Sequence, residues 1–240
     1  MKSSFNLLAI ILFLFISNFC FGQEDGYFEK STGAVTVKGY YENGQKDGTW
    51  VTELRDGSIS QIESYKNGIK QGIFIKFDKK GYISKKSFYK DGSLYGWEME
   101  YSKSNKLVSK IKYVNGEING LKYLYYENGK VQEESQYTKG YRNGYAKWYD
   151  NNHKLIAEYS YKEGNFEGTN KTFHTNGNVK VLENYSNNIH EGEYKEFYPT
   201  GKLKVSGNYV AGKKNGEWME YNPQGKLTKT SLYEAGNIVE

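Results

Sequence analysis

Cysteine, proline and methionine are nearly missing from this chain of 240 residues, which holds one, two and three of them respectively. The single cysteine, Cys20, falls in the N-terminal apolar stretch, so the rest of the chain has neither a disulfide framework nor a thiol nucleophile. Apolar residues are also few. At 37% they fall short of what an ordinary globular core requires, and long amphipathic helices do not fit the composition. No run of five or more like charges occurs, and 33 basic and 28 acidic residues are spread over the whole length for a formal charge of +5. So mild a balance gives no reason to expect a nucleic-acid partner. With no basic amphipathic helix either, membrane-surface binding gets little support. What the chain has in quantity is tyrosine (24) and glycine (27), the composition of many strands and turns held by aromatic contacts.

The N-terminus stands apart from the rest. Lys2 precedes an apolar run from Leu7 to Ile16, followed by Ser17, Asn18 and Cys20-Phe21-Gly22. The run is too short to span a bilayer as a helix, which takes roughly 20 residues. Residues 1–22 therefore read as a secretory signal cleaved after Gly22, which predicts an exported protein of the periplasm, cell surface or medium. A lipoprotein anchored through Cys20 is the rival reading, weakened by Asn18 and Phe19 where small residues should stand.

Past the leader, one period organises the chain. Gly48, Gly72, Gly96, Gly120, Gly144, Gly168, Gly192 and Gly216 follow one another at intervals of 24 residues without insertion or deletion. A tyrosine stands seven residues before each, from Tyr41 to Tyr209, and Tyr233 continues the series. A second glycine series runs from Gly44 to Gly236, broken only by Asn188, the residue type that best tolerates a left-handed backbone after glycine. Five residues past each main glycine comes an aromatic, Phe77 to Tyr221, with Glu53 in the first module. A third turn follows at Gly57, Gly81, Asn105, Gly129, His153, Gly177, Gly201 and Gly225, and two residues after it an aliphatic, Ile59 to Leu227. Gly33 and Val35 fit the same register and mark a partial module.

The spacing predicts two strands of about six residues per module, one from main glycine to aromatic and one from aliphatic to tyrosine. Asn43-Gly44, Asp56-Gly57 and their counterparts supply the positive φ angles of tight reversals. Each module is thus a β-hairpin in which the aliphatic and the tyrosine share a face. The fold class is all-β: an elongated, solenoid-like antiparallel sheet of about eight tandem hairpins over residues 39–240, with a partial repeat in 23–38 and a truncated one at the end. About 16 strands at roughly 4.8 Å each would span about 75 Å. No hairpin is stable alone in water, so each must lean on its neighbours.

The pattern Tyr-x-x-Gly-x-x-x-Gly-x-Trp, at Tyr41 to Trp50 and again at Tyr209 to Trp218, resembles MORN repeats. Segments such as Tyr126 to Val131 and Phe197 to Leu203 are similar to the bacterial MORN repeat variant, the form found in proteins labelled YwqK-type antitoxins of toxin-antitoxin systems. The resemblance covers about residues 39–240. It implies tandem hairpins in an elongated sheet with roles in protein scaffolding or membrane association, and it implies no catalytic residues. An export signal departs from an intracellular antitoxin.

Of recognisable chemistry there is little. No nucleophile elbow, phosphate-cradling loop or paired-cysteine metal motif occurs. His153, His174 and His190 occupy different modules and different module positions, so no metal site is expected. Glu98, Glu100, Glu193, Glu196, Glu217 and Glu220 fall at strand places filled by Lys, Thr or Ala in other modules, the mark of a solvated face rather than of a paired-carboxylate cleft. The chain is expected to be non-enzymatic and to need no cofactor. The candidate binding residues are aromatics beyond what the repeat requires: Trp50, Phe74, Tyr194 and Trp218, two residues past a main glycine, with Trp97 and Trp148 in the middle modules. Trp50, Phe74, Tyr194 and Trp218 should face away from the fifth-position aromatics, forming apolar islands if that face is open; cover by curvature or by the N-terminal segment is the competing reading. The function expected is that of an exported protein-protein interaction or scaffold module, with a glycan- or envelope-binding protein and an antitoxin-like neutraliser of a partner protein as alternatives.

Overall fold

The computed structural model describes residues 24–239. The expected leader over residues 1–22, together with Cys20, lies outside the described residues.

The described chain forms one antiparallel sheet of 21 strands, in which each tyrosine strand is hydrogen-bonded to the glycine strands before and after it in sequence, with Gly26–Ser31 at one edge and Asn237–Ile238 at the other. Two kinds of strand alternate. The tyrosine-bearing strands, such as Ile59–Lys66, Leu107–Val114 and Leu203–Val210, are eight residues long. The glycine-bearing strands, such as Ile69–Phe77, Glu117–Tyr125 and Lys213–Tyr221, run to nine. Both exceed the expected six. The main glycine, read from sequence as a strand start, instead lies inside its strand as a bulge. Between the pairs Lys38↔Val51 and Tyr40↔Asp47 the glycine strand carries two extra residues, accommodated at Gly48 with φ at 67°. At Gly96 and Gly168 the same bulge interrupts the strand, leaving Ser93–Leu94 and Asn165–Phe166 as separate short strands.

Reversals between a tyrosine strand and the next glycine strand are two-residue turns with both residues at positive φ, as at Asn43 (51°) and Gly44 (68°). Asn188 takes the left-handed conformation expected of it, at 68°. Lys139, Glu163, Ala211 and Ala235 adopt the same geometry at the first turn position, where the following glycine and the ladder on both sides impose it.

A second bulge decides which way the aliphatic row points. Tyr149 pairs with Leu155 while Trp148 pairs with Ala157, so Ile156 is an extra residue in its strand. The same shift recurs beside Ile59, Ile83, Val131, Val179, Leu203 and Leu227. Because strand side chains alternate with period two, one inserted residue moves the aliphatic across to the face of the fifth-position aromatic. The expectation that aliphatic and tyrosine share a face is corrected accordingly.

The N-terminal partial repeat begins earlier than its spacing suggests. Gly26 pairs with Tyr41 as Gly48 pairs with Tyr65, and Phe28 sits opposite Gly39. Gly26 and Gly33 stand two residues closer together than Gly48 and Gly57, so a fixed-period search passes over them.

Candidate functional site

The sheet is a single layer, and its two faces are built differently. On what we term the inner face, the tyrosine row from Tyr41 to Tyr233 is interleaved with the residue two before each main glycine. Lys46, Lys70, Leu94, Ile118, Arg142, Phe166, His190 and Lys214 fill these places. Cations lie over rings: Lys46 Nζ is 4.1 Å from the Trp50 ring centre and 4.9 Å from that of Tyr65, and Lys214 repeats the contact with Trp218 (4.0 Å) and Tyr233 (5.0 Å). Arg142 lies over Tyr137, Trp148 and Tyr161. Phe166 and His190 stack between tyrosines instead. Burial raises the ionisation of the ladder hydroxyls of Tyr65, Tyr113, Tyr137, Tyr161 and Tyr209 above the usual tyrosine value. Tyr185 is displaced furthest, by burial and then by Glu183, while its hydroxyl bonds His190 Nε2.

Beside the ladder lies the row that holds the core. Trp50 is 2% exposed and Trp218 4%. Each indole lies on a glycine of the neighbouring strand, Gly39 or Gly207, and is boxed by Tyr41 and Tyr65 or by Tyr209 and Tyr233. Trp218 Nε1 donates to the Asn208 carbonyl at 3.3 Å, whereas buried Trp50 Nε1 has no such partner. In the middle modules small and charged groups take over: Ser87 donates to Glu98 (2.8 Å), which Lys85 also reaches (3.0 Å), and Glu133 accepts from Ser135 and Arg142. Burial opposes the Glu133 charge, but the hydrogen bonds from Ser135 and Arg142 prevail and hold its carboxyl below the usual range. Glu98 is therefore an ion-paired interior group, not the solvated residue its variable position suggested.

The candidate aromatics separate by face. Trp50, Phe74, Tyr194, Trp218 and Trp148 lie on the inner face. Trp50 and Trp218 are core and not open apolar islands, because glycine in the adjacent strand lets the indole sink against backbone. Phe74 packs on Tyr89 under Lys70, Tyr194 stacks on Trp218, and Trp148 packs on Tyr159. Trp97 alone of the six belongs to the outer face, next to Tyr123 at 6.3 Å between ring centres. The six residues do not converge.

Outer-face composition changes sharply along the sheet. In its two central rows, from Ile62 to Tyr123, side chains are aliphatic, aromatic or lysine, with Ser64 the one neutral polar residue and no carboxylate. Ile62 pairs Ile75, and Ile73 pairs Phe88. From Glu134 onward the same rows carry carboxylates, and two of their three lysines reach one: Lys147 pairs Glu158 and Lys195 pairs Glu193. Ile73 is 37% exposed and Phe88 44%. In an uncovered single layer, contiguous apolar surface of this kind marks an interaction site.

Tyr95 belongs to this patch and escaped the sequence reading. The residue before each main glycine normally ties one module to the next: Asp47 accepts from the Asn67 N–H (3.1 Å), Gln71 from Asp91, Glu167 from Asn187 and Glu191 from Ala211 (each 2.8 Å). At that place Tyr95 is 39% exposed, with Lys90 Nζ 5.4 Å from its ring centre. Its departure from a polar series was the available signal. The histidines are structural: His174 Nε2 bonds the Phe197 carbonyl (2.8 Å), His153 stacks on Tyr149 and His190 sits in the ladder. Among the described residues no cluster of His, Cys, Asp or Glu could hold a metal ion.

Four segments, residues 118–139, 166–187, 191–211 and 214–235, match the family model described as MORN repeat variant. Each begins one or two residues before a main glycine and ends two past the next tyrosine, so each match takes in one glycine strand and the tyrosine strand after it. MORN repeats are non-enzymatic and are associated in general with protein or membrane binding. No curated protein matches the chain.

Proposed function

We propose that this chain is an exported, non-catalytic interaction module that holds a protein partner against the apolar half of its outer face. One observation carries the reading. The inner face consumes its rings as core, whereas the outer face between Ile62 and Tyr123 leaves apolar and aromatic side chains uncovered by any second layer among the described residues. An antitoxin-like neutraliser would be one form of the same protein-binding role. The neighbouring rings of Trp97 and Tyr123 favour glycan stacking as a second reading.

Capture of partners from the native envelope by the immobilised protein, with Trp97→Ala and Phe88→Ala in parallel, tests the proposal. Loss of the same partner in both variants supports it. Capture insensitive to both removes the outer face from consideration, and a glycan array hit lost with Trp97→Ala moves the assignment to sugars. Cell fractionation tests export, since an uncleaved chain retained in the cytoplasm excludes it.

A further inference from the structure

The lysines of the outer patch stand where the face offers no acid, whereas Lys171, which forms no ion pair either among the described residues, lies opposite Glu158 in the ladder. Lys38, Lys147 and Lys195 on the same face each reach a carboxylate, and on the inner face Lys70 and Lys85 do the same. Lys86, Lys110 and Lys112 have no carboxylate partner among the described residues; Lys110 and Lys112 instead sit 4.4 and 5.4 Å from the Trp97 ring centre. Three cations left uncompensated in the one carboxylate-free region of the face make that region complementary to an anionic ligand.

The arrangement narrows the ligand further. Lys110 and Lys112 are two residues apart on one strand, about 7 Å. Lys86 is two strands away, with Met99 between it and Lys110 in the ladder, about 10 Å. Apolar side chains thus alternate with isolated charges. A nucleic-acid site would neutralise roughly 6–10 phosphates, and an anionic lipid surface is met by clusters of about 4–8 basic residues. Three lysines interleaved with apolar groups fall short of both. An extended polypeptide presents alternate side chains every 7 Å or so, which is the spacing of the two lysines on their strand. Resting on the interaction reading above, we infer that the outer patch recognises an acidic polypeptide segment that also carries apolar or aromatic side chains, its carboxylates meeting Lys86, Lys110 and Lys112 and its apolar groups meeting Trp97 and its neighbours.

The test uses the purified protein and a fluorescent random copolymer of glutamate and tyrosine, followed by anisotropy. Polyglutamate, phosphatidylserine vesicles and oligodeoxythymidylate serve as competitors. The copolymer is expected to bind with salt-sensitive affinity. The triple variant Lys86→Gln/Lys110→Gln/Lys112→Gln and the single Trp97→Ala should each weaken it about tenfold, and Lys171→Gln in the polar half should not. All these side chains are partly exposed, so the variants should keep the parent melting curve; restoration of binding by the triple Lys→Arg variant excludes a folding defect as the cause. No binding of the copolymer, binding indifferent to the lysines, or preferential binding of vesicles or oligonucleotide through the same residues overturns the inference. Failure here is distinct from failure of the interaction reading. A native partner lost with Trp97→Ala but kept by the triple lysine variant would leave the interface standing and dismiss its acidic ligand.

Discussion

Gly39 and the indole of Trp50 share a space in which no side chain fits: a Cβ on Gly39 would overlap the ring. Gly207 meets Trp218 in the same way near the other edge of the sheet. Neither glycine is at positive φ, so the requirement is one of volume alone. Replacing either with alanine should cost roughly 1–3 kcal/mol through overpacking, read as a lower denaturant midpoint. Unchanged stability in both would mean that the tryptophans do not form the core assigned to them.

Acid should loosen the module built around Glu133. The folded Glu133 carboxyl titrates below its unfolded value of about 4.3, so the stability it contributes is present above that pH and is lost as pH falls through the lower, folded value. Glu133→Gln should flatten this acid limb. It should also cost stability at neutral pH, because it removes the charge facing Arg142, which bonds Glu133 at 2.9 Å. A parent-like acid profile would contradict the assignment.

At the alkaline end the tyrosine ladder sets the limit. Burial raises the hydroxyls of Tyr65, Tyr113, Tyr137, Tyr161, Tyr185 and Tyr209 above the ordinary value of about 10, so their contribution is complete below that pH and disappears as pH climbs through the folded values. On the outer face, the hydrogen bond to Glu134 at 2.6 Å, with burial, pushes Tyr145 up to about 12. Ultraviolet titration should show a distinct late tyrosinate phase that coincides with loss of β-sheet circular dichroism; absence of any late phase would refute the ladder.

The polar ties between modules should each matter modestly. Glu167→Ala and Glu191→Ala remove acceptors for the Asn187 and Ala211 amides, and each should cost about 1 kcal/mol. Because neighbouring modules stabilise one another in a linear array, the loss should appear as faster amide exchange around the affected turn. Uniform change across the sheet would argue against such local coupling.

Much of this architecture was legible in one chain of letters. Turn chemistry is local, so Asn43-Gly44 and its counterparts declare their reversals, and a period without insertions can only stack identical units. Which way a side chain points is not local. It depends on ladder register, and each module hides two bulges, at the main glycine and beside the aliphatic, whose extra residues are visible only against the opposite strand. The sequence could therefore show Trp50 and Trp218 as surplus rings, but their burial depends on Gly39 and Gly207 in the strand alongside. Tyr95 departs from the polar series at its place and Trp97 stands one residue past its glycine rather than two, but that both lie on the open face is visible only from the ladder. Hairpins and their order follow from the sequence alone because backbone conformation is set by near neighbours; core and surface were assigned only by the pairing of strands, because burial is a property of what lies across the ladder.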